Sequence, residues 1–185
     1  MDILCIDFMN SDWRDWRGSG RREDRLYQTA WIESFLQKWE FEAPIPPDPE
    51  TLMTLRKLRD GMRSIVEALV ENKPAQQVDI DQLNQALQHA QTYPQLYWHK
   101  EGFRMEQVSS AHGWPFVISQ IAASFAELVT YEDVRRIKIC ANDDCRWIFF
   151  DESRNRARHW CDSRLCGNLL KVRRFRAKKK TDKES

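Results

Sequence analysis

The sequence predicts an α+β protein. A mainly α-helical N-terminal domain carries a small β-hairpin, and a compact C-terminal module is built on four cysteines. Three observations carry this reading. Apolar residues recur at helical spacing through most of residues 24–131. One stretch, residues 95–108, breaks that period with apolar residues on either side of a polar turn. Four of the five cysteines fall after residue 139. At 185 residues, with 42% hydrophobic and 31% charged side chains, the chain has the length and balance of a folded globular protein.

Each element follows from local pattern. Residues 4–8 are a short apolar run, compatible with a strand or the start of a helix. Residues 11–25 are polar, with Gly18, Gly20 and five arginines, and read as a loop. Ile32, Phe35, Leu36 and Trp39 then place an amphipathic helix over 24–39. Residues 42–50 hold four of the seven prolines and form an extended connector. Asp48 and Pro49 are suited to the N-cap and first position of a long helix. That helix carries Leu52, Leu55, Leu58, Met62, Ile65, Val66 and Leu69 to about residue 71. Another starts at Asp79, with Ile80, Leu83, Leu87 and Ala90 on one face. The hairpin turns through His99-Lys100-Glu101-Gly102. A last apolar helix opens at Pro115 and runs to about Tyr131.

The four late cysteines are Cys140, Cys145, Cys161 and Cys166, two pairs of one spacing separated by an insert. Each pair lets two thiolates converge from a tight turn, and two such pairs complete the tetrahedral four-thiolate shell that Zn²⁺ favours in structural sites. One structural zinc is the expected cofactor. A closed shell leaves no coordination position for water or substrate, and His159 is surplus to it. Cys5, between Leu4 and Ile6, reads as a small buried hydrophobe. Ile137-Lys138-Ile139 leads into the first pair, Arg146–Phe150 leaves it as an aromatic strand, and Leu165, Leu169, Val172 and Phe175 recur at helical spacing. Knuckle, hairpin, then a helix carrying the last ligand is the order of a treble-clef zinc finger.

Charge divides at the same place. Residues 1–133 hold 13 Lys+Arg against 21 Asp+Glu, a net of −8, whereas residues 134–185 hold 16 against 7, a net of +9. Four thiolates and Zn²⁺ lower the latter to about +7. An acidic body with a basic end points to an anionic partner met at that end, and duplex DNA is the leading expectation. The candidate nucleic-acid contacts are Arg154, Arg156 and Arg158 in the insert, and Lys171, Arg173, Arg174, Arg176 and Lys178 on the last helix. Several of these cations can instead pair with the acidic body.

Residues 140–176, from Cys140 through Cys145-Arg146-Trp147-Ile148-Phe149-Phe150-Asp151, Ser153-Arg154-Asn155 and Arg158-His159-Trp160-Cys161 to Cys166-Gly167-Asn168 and Lys171-Val172-Arg173-Arg174-Phe175-Arg176, resemble the CGNR zinc-finger family. Leu169 stands where that motif has its arginine. The upstream region, through Leu4-Cys5-Ile6-Asp7-Phe8-Met9-Asn10, is similar to the ABATE domain that precedes this finger in bacterial proteins. The resemblance implies a stress-induced transcription regulator whose ABATE domain binds a small effector and whose finger binds DNA. It divides the chain into an ABATE-like domain at 1–133, a finger at 134–180 and a disordered tail at 181–185.

Asp7, Asn10 and Arg14 are the candidates for an effector pocket, although turn capping and surface ion pairing account for the same residues. A zinc-stabilised protein-interaction or RNA-binding module is the alternative function, with Trp147, Phe149, Phe150 and Trp160 as stacking surfaces. No Ser-His-Asp set, phosphate-cradling glycine loop or open metal site marks an enzyme. The N-terminus lacks the pattern of a signal peptide and no apolar run is long enough to span a membrane, so a cytoplasmic protein is expected.

Overall fold

The computed structural model describes residues 2–184, without the side chains of 177, 178 and 180–184. The N-terminal part is built from α1 (Leu4–Met9), a short hairpin β1 (Asp12–Arg14) and β2 (Arg22–Asp24), then α2 (Thr29–Lys38), α3 (Pro49–Val70) and α4 (Gln77–Leu87). A long hairpin, β3 (Thr92–His99) and β4 (Gly102–Ser109), and α5 (Gly113–Tyr131) complete it. The C-terminal part consists of β5 (Ile137–Ile139), β6 (Ile148–Phe150) and α6 (Asn168–Glu184). Each strand pair is an antiparallel two-stranded sheet. Among the described residues, no helix is long and apolar enough to cross a membrane.

The long helix starts where its cap dictates. The Asp48 carboxylate accepts from the N–H groups of Glu50 and Thr51 at 3.0 and 2.9 Å, and Pro49 follows at a position that needs no N–H donor. Leu55, Leu58, Met62, Ile65 and Val66 then face Phe8 and Met9 of α1 and Val117, Ile121 and Phe125 of α5 in one core. Cys5 is fully buried there, and desolvation pushes its thiol up to about 11.

Three elements differ from the sequence expectation. Residues 11–25 contain the β1–β2 hairpin rather than a plain loop. Its strands are charged on both faces and offer no apolar alternation to read; Arg22 pairs across it with Asp12 at 3.2 Å. The helix expected from residue 24 is split. Asp24 caps a single tight turn, Arg25–Tyr27, and extended Gln28 separates it from α2. The last helix continues to Glu184, through most of the segment expected as a tail, because nothing after Gly167 breaks it: no further Gly or Pro occurs. Ser185 lies outside the described residues.

The charge boundary near residue 134 is no boundary in packing. Ile137 of β5 and Ile148 of β6 are buried in the same core as α1, α3 and α5. Asn10 at the end of α1 forms a two-way clamp on β6. Its Nδ2 donates to the Ile148 carbonyl at 2.8 Å and its Oδ1 accepts from the Ile148 N–H at 2.9 Å. Two buried arginines of α3 extend the join. Arg59 is bidentate on Asp24 at 2.6 and 2.8 Å, and Arg63 donates to the carbonyls of Met9 and Arg146, both at 3.1 Å.

Candidate metal centre and basic face

The first knuckle closes on itself through Asn142. Its carbonyl accepts from the N–H groups of Cys145 and Arg146 at 2.8 and 3.1 Å, and its buried amide donates to the Trp16 carbonyl at 2.8 Å. Arg146 takes a left-handed backbone conformation (φ 55°) to leave the turn. The second knuckle is capped by Asp162, whose carboxylate accepts from the N–H groups of Arg164 and Leu165 at 2.7 and 2.9 Å. That cap starts one wide helical turn, Ser163–Gly167, which continues into α6 and carries Cys166 at its inner side. Gly167 packs closely on Trp160: a Cβ there would crowd the ring at 3.3 Å.

The four sulfurs of Cys140, Cys145, Cys161 and Cys166 lie within 4.8 Å of one another. Cys145 Sγ is 3.7 Å from Cys161 Sγ, and Cys161 Sγ is 3.9 Å from Cys166 Sγ. A tetrahedron with Zn–S bonds of about 2.3 Å has S···S edges of about 3.8 Å, so the donor set fits one Zn²⁺ in both chemistry and size. The mutual crowding of the thiols acts in the same direction. Hydrogen bonds from Cys145 and Cys161 lower the pKa of Cys140, while the same pairing with Cys140 raises those of Cys145 and Cys161, and burial raises that of Cys166. Four crowded sulfurs cannot all become thiolates unless a cation compensates them. Asn142 Nδ2, 3.6 Å from Cys166 Sγ, supplies an N–H donor to the shell.

A second organiser is Asp151. It is fully buried, which pushes its carboxyl up, but the Lys138 ammonium at 2.7 Å, the Ser153 hydroxyl and the N–H groups of Arg158 and Ser153 at 2.9 and 3.0 Å hold it well below the carboxylate range. Lys138 also donates to the carbonyls of Arg156 and Arg158. The insert between the knuckles is therefore wound around one buried ion pair. Neither Asn142 nor Asp151 is among the candidate site residues the sequence offers. The available signals were Asn142 two residues after Cys140, and the Asp151-x-Ser153 pattern, in which the carboxylate reaches the N–H two residues on.

The candidate nucleic-acid contacts separate into three groups. Arg156, Arg158 and Arg173 are engaged in the fold. Arg156 pairs with Asp133 at 2.9 Å. Arg158 donates to the Cys161 carbonyl and lies 5.0 Å from the centre of the Phe149 ring. Arg173 pairs with Asp144 at 2.7 Å and donates to the Arg17 carbonyl at 2.6 Å, tying α6 to both the knuckle and the β1–β2 loop. Arg154, Lys171, Arg174 and Arg176 are exposed and have no ion-pair partner among the described residues. The Lys178 side chain lies outside the described residues.

Leu165, Val172 and Phe175, which helical spacing alone assigns to a core, are exposed, and Leu169 is half-buried. The helix projects past the module and finds nothing to cover that stripe. Trp147 and Trp160 pack against the cysteines, so two of the four aromatics proposed for stacking serve the module's own core, and Phe149 is buried beside Arg158.

Of the effector candidates, Asp7 and Asn10 share a groove and Arg14 lies apart from it. Asp7 pairs with Lys38 at 2.9 Å, accepts from Trp39 Nε1 at 3.0 Å, and lines a groove of about 360 Å³ between α1 and β6, where Trp147, Phe149 and Arg158 also lie. Asn10 reaches the same groove but spends its amide on Ile148. Arg14 pairs with Asp12 at 3.3 Å and borders a separate, smaller groove beside Asp143 and Asp144.

Residues 2–132 match the model of the ABATE family, whose description is "Putative stress-induced transcription regulator", and residues 136–179 match that of the CGNR zinc finger. No curated protein sequence matches the chain. The two matches meet at the foot of β5, where the charge changes sign, and the four sulfurs that fit zinc lie inside the second of them: the chain belongs to the ABATE family and carries a C-terminal CGNR zinc finger.

Proposed function

We propose that the protein is a transcription regulator that binds duplex DNA through the outer face of α6 and the exposed end of the insert. The observation that carries this reading is the partition of its cations. Among the described residues, Lys171, Arg174 and Arg176 have no ion-pair partner on a helix whose first turn is fixed by Cys166, while Arg173 beside them is consumed in holding that helix in place. A helix that presents Arg and Lys from a metal-fixed base offers point charges and bidentate donors to phosphates. The groove beside Asp7, between the body and β6, is the place where a small effector would touch both parts. The zinc is structural and the reading is of a binding protein, not an enzyme. It puts the protein in the cytoplasm, where its five thiols stay reduced.

The exposed stripe of Leu165, Val172 and Phe175 favours a second reading, a protein-interaction helix. Affinity for duplex DNA measured against salt separates the two. Phosphate contacts give a log–log slope of about −0.9 per neutralised phosphate, so three or four contacts predict a slope near −3. No duplex binding at low salt, or a flat slope, discards DNA in favour of the interaction helix.

A further inference from the structure

The β3–β4 hairpin is poorly explained by the protein's own fold. Its two strands pair only with each other. One face carries Pro94, Leu96 and Trp98 from β3 opposite Gln107, Met105 and Phe103 from β4. Trp98 and Phe103 meet edge to face, 4.8 Å between ring centres, yet Leu96, Trp98, Phe103 and Met105 remain 62–71% exposed. The other face is mixed and polar, with Tyr97 donating to Gln95 and His99 beside Glu106. A two-stranded hairpin in water is marginal on its own, and an apolar sheet face is a surface to be covered.

Its edges are blunted against strand addition. The Ser110 N–H donates to the Gln91 carbonyl, which fixes the register so that the backbone groups of Pro94, Leu96, Met105 and Gln107 point outward. Pro94 removes one of the outward donors on β3, and Arg104 and Glu106 set charges along β4. What remains open is the face. The hairpin carries Lys100, Glu101, Arg104 and Glu106, a net charge of zero. Two hairpins therefore do not repel each other, whereas a nucleic-acid strand stacking on Trp98 and Phe103 would find no cationic track there.

We propose that this face is a dimerisation surface, closed by the same face of a second copy of the chain. Side-chain size falls along the hairpin from Trp98 and Phe103 at the tip, through Leu96 and Met105, to Thr92 and Ser109 at the base. Two copies related by a two-fold axis and packed tip to base match large against small, with Leu96 and Met105 at the axis. Aromatic rings bury 150–250 Å² each, so each copy offers roughly 500 Å² of apolar side chain. The pair covers about 1,000 Å², the threshold for a specific interface. The inference is independent of what α6 binds.

The test is the mass of the full-length, zinc-loaded protein in solution, by light scattering or sedimentation across a concentration series. A dimer at twice the 22.1 kDa chain mass is expected. Met105→Arg and Met105→Glu each place like charges at the axis, and each should weaken the dimer at least about thirtyfold with zinc content and helix content unchanged. Mixing the two variants should restore a dimer containing one of each. A monomer at every concentration, a dimer insensitive to both substitutions, or two variants that fail to reassociate when mixed, overturns the proposal.

Discussion

The insert between the knuckles and helix α6 both carry several arginines and put them to opposite uses. In the insert, Arg156 is paired with Asp133 and Arg158 is stacked on Phe149 and hydrogen-bonded to the knuckle, both wound around the buried Lys138–Asp151 pair. Among the described side chains of α6, Arg173 is tied down, and Lys171, Arg174 and Arg176 face solvent. A count of cations therefore does not measure a binding surface. What distinguishes the two regions is whether a carboxylate or carbonyl has already claimed each charge, and distance in sequence from the −8 body is no guide to that.

The strongest way to break the contrast is to remove what supports both sides. Cys161→Ser, or a chelator, should abolish stoichiometric metal and with it the order of insert and α6. Structural zinc contributes on the order of 10 kcal/mol in small modules. Because Ile137 and Ile148 lie in the common core, the thermal transition of the whole chain should fall as well. Metal analysis with circular dichroism reads both, and a metal content well below one per chain in the unmodified protein would refute the four-sulfur assignment.

Asp151→Asn tests the insert alone. It leaves the Lys138 ammonium without its buried partner and should cost about 3 kcal/mol in denaturant unfolding, with a larger loss in the insert than in α6. The unmodified protein carries a pH signature of the same pair. Asp151 is depressed in the fold, so its stabilisation is complete above the ordinary carboxylate value of 3.8 and drains as pH falls toward the lower folded value. Asp133, held down to about 2 first by Arg135 and then by Arg156, adds to the same acid-side loss. In Asp151→Asn the part of that acid slope due to Asp151 should disappear.

The smallest effects are also the most discriminating. Lys171→Ala with Arg174→Ala should leave stability within about 0.5 kcal/mol and flatten the salt slope for duplex DNA by about 1.8. Arg156→Ala should do the reverse, lowering stability slightly and leaving the slope alone. If Arg156 moves the slope as much as Arg174 does, the division between the two regions fails.

Much of this was legible in the sequence. The capped start of α3 at Asp48-Pro49, the helical stripes of α3 to α5, the turn of the β3–β4 hairpin and all four sulfur ligands follow from spacing, because each is a local rule acting within a few residues. What stayed hidden depends on distant partners. Arg59 and Arg63 sit on the buried face of α3 but read as solvent residues until Asp24 and the Met9 and Arg146 carbonyls are brought to them. Asp7, Asn10 and Arg14 look like one site in sequence, yet the β1–β2 hairpin turns Arg14 away to a different groove. The α6 stripe obeys the helical period without a core to face, since periodicity records which residues share a side and not what that side meets.

The clamp of Asn10 on Ile148 has a consequence for modularity. Zinc fingers are commonly treated as portable units, moved between proteins on a tether. Here the chain leaves α5 at Tyr131 and is in the common core again by Ile137. Residues 134–184 cut free would expose Ile137 and Ile148 and lose the Asn10 amide, so the finger is only half of a folded object. A signal received by the body need not travel along a linker to reach the metal module, because the two parts meet at β6.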